Sequence, residues 1–305
     1  MRFGGHETFP IREGWLYKGL HLLKTEPSKI SGDEAADWLG VGRNMAKSIR
    51  HWLVVTKLAR PSGRIGKTLR HPLELTDLGE LVWSRDPYFE SIGTWWALHI
   101  NLASDRDHAV VWRWFFNVFS GARFERSVCL EAAERYLDRT GVRMPSRLTL
   151  ERDVACLLAS YARTIPEERG DPEDNLVCPF TELGLMTYFK GTGAYEVHRG
   201  MRPLPPELLG YSLARALGSH DEGRHSDLPL NELWGLENGP ARVFSLSNEA
   251  FFEAVLDAVA LGELDDLKVV GLAGERVLRV THRPALNWLR AYYESANQTP
   301  TEVAV

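Results

Sequence analysis

The side chains near the start of the chain with the most chemical potential fall in one run, Phe3-Gly4-Gly5-His6-Glu7-Thr8-Phe9-Pro10-Ile11-Arg12. An imidazole can shuttle a proton, and together with a neighbouring carboxylate it can hold a divalent ion beside a phosphodiester. His6, Glu7 and Arg12 are therefore the candidate catalytic residues. A terminal arm is normally polar and frayed, whereas this one sets its functional groups between glycines and aromatics, so something must hold it in place. A structural arrangement uses the same residues: Glu7 paired with Arg12, and His6 hydrogen-bonded at a helix or loop end.

Other stretches imitate chemistry less completely. The loop from Ser219 to Asp227 gathers His220, Asp221, Glu222, His225 and Asp227, and hard divalent ions favour carboxylate oxygens, but no rigid element fixes the spacing there. Asp266-Leu267-Lys268 matches the acidic-x-Lys half of a restriction-type nuclease motif without a preceding Pro-Asp strand. Gly63-Arg64-Ile65-Gly66-Lys67-Thr68 matches the tail of a phosphate-binding loop, yet that motif's first glycine would fall at Pro61. No metal-ligand set is assigned. Cys129, Cys156 and Cys178 form no CxxC pair, which disfavours a zinc site or disulfide framework and fits a reducing cytoplasm. Cys178, beside Pro179 and Phe180, reads as a buried thiol rather than a persulfide acceptor.

The strongest pattern is one of charge. Between Val41 and Leu73 stand eight Lys or Arg and no Asp or Glu. A polyanion rewards unopposed positive charge by counterion release, and Arg, Lys and Asn also reach base edges. The elements around this patch, from Lys29 to Val82, predict a winged helix-turn-helix. Ser31 with Glu34 is a capping-box start for a helix through Ala35, Trp38 and Leu39 that Gly40 ends. A second helix places Met45, Ile49, Trp52 and Leu53 on one face and Arg43, Lys47 and Arg50 on the other, with Asn44 and His51 beside them. The segment from Ala59 to Arg70 predicts a hairpin wing, after which Thr76 caps the next helix. The expected DNA-binding residues are Arg43, Asn44, Lys47, Arg50, Arg60, Arg64, Lys67 and Arg70.

The 305 residues suffice for two or three cores, and 44% hydrophobic with 25% charged is ordinary for a soluble globular protein. The net charge of −5 conceals the basic N-terminal patch. No signal pattern and no apolar run of about 20 residues is present, so no membrane partner is expected. The predicted class is mainly α with small β hairpins (α+β), as tandem winged helix-turn-helix-like modules. Residues 1–95 form the winged DNA-binding module. Residues 96–170 form a helical, helix-turn-helix-like one: Trp96, Leu98, Trp112, Trp114 and Phe115, with Trp95 just before the boundary, fill a core, Ser127 and Ser146 cap two helices, and Leu150, Val154, Leu157, Leu158 and Tyr161 make an apolar stripe. The acidic, proline-bearing segment Thr164 to Asn175 reads as a linker or surface loop. Residues 171–305 form a C-terminal winged-like module. There, hairpins at Met186–Val197 and Leu267–Val280 alternate with helices opened by Pro205-Pro206, capped by Ser247, and running from about Pro284 to Tyr293.

Four segments carry a resemblance. Phe3-Gly4-Gly5-His6-Glu7-Thr8-Phe9-Pro10-Ile11-Arg12-Glu13-Gly14-Trp15-Leu16, Leu39-Gly40-Val41-Gly42-Arg43-Asn44-Met45, Asp86-Pro87-Tyr88-Phe89-Glu90 and Cys178-Pro179-Phe180-Thr181-Glu182-Leu183-Gly184-Leu185 resemble the motifs of a bacterial family long filed as a domain of unknown function. Its members sit with DNA phosphorothioation genes, and the resemblance spans nearly the whole chain. The branch it most resembles is held to be the DNA nickase of a single-stranded phosphorothioation and phage-defence system. The resemblance implies a single-strand endonuclease that acts on double-stranded DNA with Mg or Mn, alongside a cysteine desulfurase, an ATPase and a sulfur-transfer subunit. The alternative is a non-catalytic DNA-binding subunit or regulator that positions the sulfur-transfer machinery. The resemblance supplies no catalytic set.

Overall fold

The apolar spacing of the first third sets its helices. In the computed structural model, which describes residues 3–62, 71–141, 143–165, 178–218, 222–261, 265–272 and 274–298, α1 (Trp15–Thr25) buries Trp15, Leu16, Leu20, Leu22 and Leu23. A 3₁₀ turn (Lys29–Ser31) leads into the short α2 (Ala35–Leu39), which Gly40 ends at φ 62, a conformation glycine adopts without strain. The expected Ser31 cap does not form. Glu34 occupies the N-cap position without a side-chain bond, because the Ser31 hydroxyl instead donates to the His71 carbonyl (3.1 Å) and meets Arg50. In α3 (Arg43–Val55) the buried face is Ala46, Ile49, Trp52 and Leu53, with Met45 only half-buried. Full burial of side chains this large contributes roughly 1.5–3 kcal/mol each, which fixes which face of α3 turns outward.

β1 (Ala59–Pro61) and β2 (Leu73–Leu75) pair antiparallel, with Arg60 opposite Glu74. The segment predicted as a wing is flanked by this strand pair, and its Arg64, Lys67 and Arg70 lie outside the described residues. Thr76 caps α4 (Asp77–Arg85) by accepting from the Gly79 amide (3.1 Å), as the sequence predicts.

The aromatic segment folds as two helices, α5 (Ile92–Ala103) and α6 (Val110–Asn117), buried along almost every residue. Asp86 organises the entry to α5: its carboxylate accepts from the Glu90 amide (2.8 Å), the Ser91 amide (3.2 Å) and the Thr94 hydroxyl (2.5 Å). The expected boundary at 95/96 falls inside α5. Asn101 on that helix also donates to the Thr56 carbonyl at the end of α3 (3.1 Å), so the two segments share polar ties as well as chain.

β3 (Arg123–Glu125) precedes α7 (Arg126–Thr140), where Ser127 lies inside the first turn and Glu125 takes the N-cap position. Ser146 caps α8 (Arg147–Tyr161) as expected, and β4 (Ala162–Ile165) follows. After a 3₁₀ turn (Pro179–Leu183) come β5 (Met186–Phe189) and β6 (Ala194–Val197). These four strands form one sheet in the order β3-β6-β5-β4, with β4 parallel to β5 and the other pairs antiparallel. The hairpin assigned on sequence to the C-terminal module is thus hydrogen-bonded to strands from the middle of the chain.

The chain divides into two compact units, residues 1–198 and 199–305. The second contains α9 (Pro206–Leu217), β7 (His225–Pro229), α10 (Leu230–Gly235), α11 (Pro240–Val243), α12 (Asn248–Leu261), β8 (Leu267–Leu272), β9 (Glu275–Thr281) and α13 (Ala285–Gln298). Its three strands run antiparallel in the order β7-β9-β8. Pro206 stands in the first turn of α9, and the Ser247 hydroxyl accepts from the Ala250 amide (3.2 Å) at the start of α12, both as expected. α9 closes on α13 where Gly210 faces Trp288, leaving no room for a Cβ.

Candidate functional site

Burial of Ile49, Trp52 and Leu53 turns the opposite face of α3 to solvent, and Arg43, Asn44 and Lys47 stand exposed there in its first two turns. Arg43 has no hydrogen-bond or ion-pair partner among the described residues, while Lys47 bonds Asn44 Oδ1 (3.1 Å) and lies 3.6 Å from Glu7. With Asp33 and Ala36 these residues border a groove of about 520 Å³ beside α2. Arg50 differs from the other three. Its guanidinium is spent on the Ser31 hydroxyl and the His71 carbonyl, so it ties α3 to the 3₁₀ turn and to the start of β2. Arg60 is exposed but pairs with Glu74 across the hairpin (2.6 Å). The sequence shows no acid between Val41 and Leu73, yet the fold brings in Glu7 and Glu74 from outside that window.

The three candidate catalytic residues diverge. His6 is 2% exposed. Its Nε2 lies 2.7 Å from Asp153 Oδ1, and its Nδ1 accepts from the Thr8 amide (3.0 Å). Accepting an amide leaves Nδ1 without a proton, so Nε2 carries one and donates it to Asp153. That carboxylate also accepts from the Gly4 amide (2.9 Å), and it reaches the N-terminal turn from the middle of α8. The His6 ring packs among His51, Trp52 and Trp112. Glu7 points to Lys47 rather than to Arg12. The Arg12 guanidinium lies 5.4 Å from the ring centres of both Phe9 and Trp15. Glu7 (φ 49) and Thr8 (φ 71) are left-handed, an arrangement costly for a β-branched residue and kept by surrounding bonds. Trp52 Nε1 donates to the Phe9 carbonyl (2.9 Å), and Gly5 packs against the His51 ring, where a Cβ would overlap it.

Arg12 leads to a feature that no single stretch of sequence discloses. It borders an open cleft of about 660 Å³ with Glu13 and Gly14 from the first motif, Tyr88, Phe89 and Glu90 from the third, and Pro179 and Glu182 from the fourth. Leu16, Tyr17 and Trp95 complete the wall. The only sequence signal was that these separated segments carry distinctive motifs.

The remaining candidates are occupied. His225 and Asp227 belong to β7 rather than to a loop: His225 Nδ1 bonds the Thr281 hydroxyl (3.0 Å), and Asp227 binds Arg279 through both oxygens (2.7 and 2.8 Å). That bidentate bond holds the Asp227 carboxyl below its ordinary value. Glu222 accepts from Asn287 (3.3 Å), and His220 and Asp221 lie outside the described residues. Among the described residues no group of three or more His, Cys, Asp or Glu is placed to hold a metal ion. Cys178 is 2% exposed, and burial pushes its thiol up to about 12 even though the Phe180 and Ile11 amides and the Ser160 hydroxyl oppose the shift. Burial likewise pushes Cys129 up to about 12 and Cys156 well above 9.0. No helix among the described residues is long and apolar enough to cross a membrane.

A family model described as "Protein of unknown function (DUF4007)" matches residues 3–293, and the chain belongs to that family. Among solved structures it is similar to the SspB crystal structure, with 28% identity and a TM-score of 0.81 over 98% of this chain and 90% of the other. It is also similar to a magnesium ion-bound SspB crystal structure, with 27% identity and a TM-score of 0.79 over the same shares. No curated protein sequence matches it.

Proposed function

We propose that this chain is a DNA-binding component of a bacterial DNA phosphorothioation and anti-phage system, and that it nicks the duplex it binds. The observation that carries the binding half is the outward face of α3, where Arg43, Asn44 and Lys47 stand exposed in the first two turns. In a helix-turn-helix the N-terminal residues of the second helix meet base edges while the first helix crosses the backbone. α2 and α3 take those roles here. The positive end of the α3 dipole adds to the side-chain charge. The β1-β2 pair serves as a wing that brings Arg60 to the phosphates; Arg64, Lys67 and Arg70, outside the described residues, are proposed phosphate contacts on the basis of the sequence. Arg50 acts by positioning α3.

The nicking half rests on family motifs and on the similarity to SspB. A magnesium-bound SspB makes Mg or Mn the cation to supply. Magnesium keeps several waters and needs only one or two carboxylates, so the lack of a group of three or more His, Cys, Asp or Glu among the described residues does not bear against it. The proposed partners are a cysteine desulfurase, an ATPase and a sulfur-transfer subunit.

The burial of His6, with both ring nitrogens engaged, favours a second reading: a non-catalytic subunit that positions the sulfur-transfer machinery on DNA. Relaxation of supercoiled plasmid by the purified protein, with Mg or Mn and with EDTA as control, separates the two. Conversion to open circle that EDTA abolishes is the expected result. If Arg12→Ala loses that conversion while still binding DNA, cutting depends on the N-terminal motif. Salt-dependent DNA binding without any nicking would leave the non-catalytic reading standing.

A further inference from the structure

We infer that the cleft at Arg12, Tyr88 and Glu182 is a binding site for a cationic side chain, an arginine or lysine presented by a partner protein. Tyr88 is 66% exposed, and its ring stacks on Tyr17 at 5.1 Å and 28°. Tyr17 stacks in turn on Trp83 at 6.0 Å and 19°. The result is a pile of rings with its last member open to solvent, a face on which a guanidinium or ammonium gains cation–π attraction. The cleft floor is apolar, formed by Leu16, Phe89 and Trp95, all buried.

The charge around it has one sign in excess. Glu13, Glu90 and Glu182 are exposed, and their carboxylates have no hydrogen-bond or ion-pair partner among the described residues. Arg12 is the sole cation among the described residues lining the cleft, and it already lies over Phe9 and Trp15. Three carboxylates against one guanidinium repel a phosphate and attract a cation. The arrangement is also held rigid. Phe89 is left-handed at φ 59, unfavourable for a bulky residue, and is kept there by Asp86, whose carbonyl accepts the Phe89 amide (3.1 Å), and by Trp95, whose indole donates to the Phe89 carbonyl (2.9 Å). Tyr88 and Glu90 flank that residue and are presented at fixed positions. A volume of about 660 Å³ admits one long side chain with its flanking backbone.

This site does not depend on the DNA-binding reading, because none of its lining residues lines the groove at Arg43, Asn44 and Lys47. The probe is N-acetyl-arginine methylamide, titrated by saturation-transfer NMR into the full chain, against the neutral isostere N-acetyl-citrulline methylamide and against deoxycytidine monophosphate. Arginine should bind at least about tenfold more tightly than citrulline. Tyr88→Ala and the pair Glu90→Gln, Glu182→Gln should each weaken it by a similar factor, with thermal melting and DNA affinity unchanged. Equal binding of arginine and citrulline, tighter binding of the nucleotide, or full affinity in the Glu90→Gln, Glu182→Gln chain would overturn the assignment. The arginine to citrulline ratio in the wild type decides the matter even where a variant fails to fold.

Discussion

Asp153 carries the N-terminal turn, because one buried carboxylate receives both the His6 ring proton and the Gly4 amide. Asp153→Ala leaves the buried His6 donor and the half-buried Gly4 amide unpaired. It should lower unfolding free energy in urea by about 2–4 kcal/mol, since a buried donor left unpaired costs about 1–3 kcal/mol. A change under about 0.5 kcal/mol would show that the turn is held by its aromatic packing alone. Asp105 makes a comparable tie to Lys57, with its other oxygen receiving the His108 and Asp107 amides. Burial pushes its carboxyl upward, but Lys57 and the two amides outweigh burial and hold it below 3.8. A carboxyl depressed in the folded state contributes stability above its unfolded value and loses it as pH falls through the folded one. Asp105→Asn should therefore be less stable at pH 7, and its stability should fall less steeply than that of the wild type below about pH 4. Parallel urea titrations from pH 7 to pH 2.5 check this, and superimposable acid limbs would contradict it. The three thiols, raised by burial, should resist alkylation by iodoacetamide in the native protein and react only after unfolding. Prompt labelling of Cys178 in native buffer would reopen its role as a sulfur acceptor.

At the scale of elements, the β1-β2 hairpin meets α4 through a close approach at Gly79, where a Cβ would overlap the Leu58 carbonyl. Backbone cannot yield as a flexible side chain does. Gly79→Ala should therefore destabilise by about 2 kcal/mol or more despite its better helix propensity, and a stabilised variant would refute the packing described. Elements whose partners are local were legible in the sequence. Ser146, Thr76 and Ser247 cap the helices they precede, and Gly40 ends α2, because each acts within a few residues. Ser31 failed as a cap because Arg50 and the His71 carbonyl, distant in sequence, claim its hydroxyl. β7 was hidden for a related reason. His225-Ser226-Asp227 has the composition of a loop, and only its pairing with β9 makes it a strand. The candidate site divides along the same line. The exposed face of α3 follows from periodicity, whereas the cleft at Tyr88 is assembled from three segments far apart in the chain, and no local spacing distinguishes Glu13, Glu90 and Glu182 from ordinary surface acids.

At the scale of the whole molecule, the proposed DNA binding requires a chain of net charge −5 to present a local concentration of positive charge. The α3 face is that concentration in the proposed account, diluted by Glu7 at Lys47 but left open at Arg43, while Glu74 offsets Arg60 on the hairpin. The acidic cleft is lined by a different set of residues, so DNA and the proposed cationic protein segment draw on different side chains. The most direct test is the salt dependence of duplex DNA affinity for the wild type and for Arg43→Gln, Lys47→Gln, each titrated by fluorescence anisotropy at several salt concentrations. Each charge that neutralises a phosphate contributes about 0.9 to the slope of log K against log salt, so removing these two cations from the groove should flatten it by up to roughly 1.8 and weaken binding most at low salt. An unchanged slope and affinity in the double variant would contradict the placement of DNA on α3.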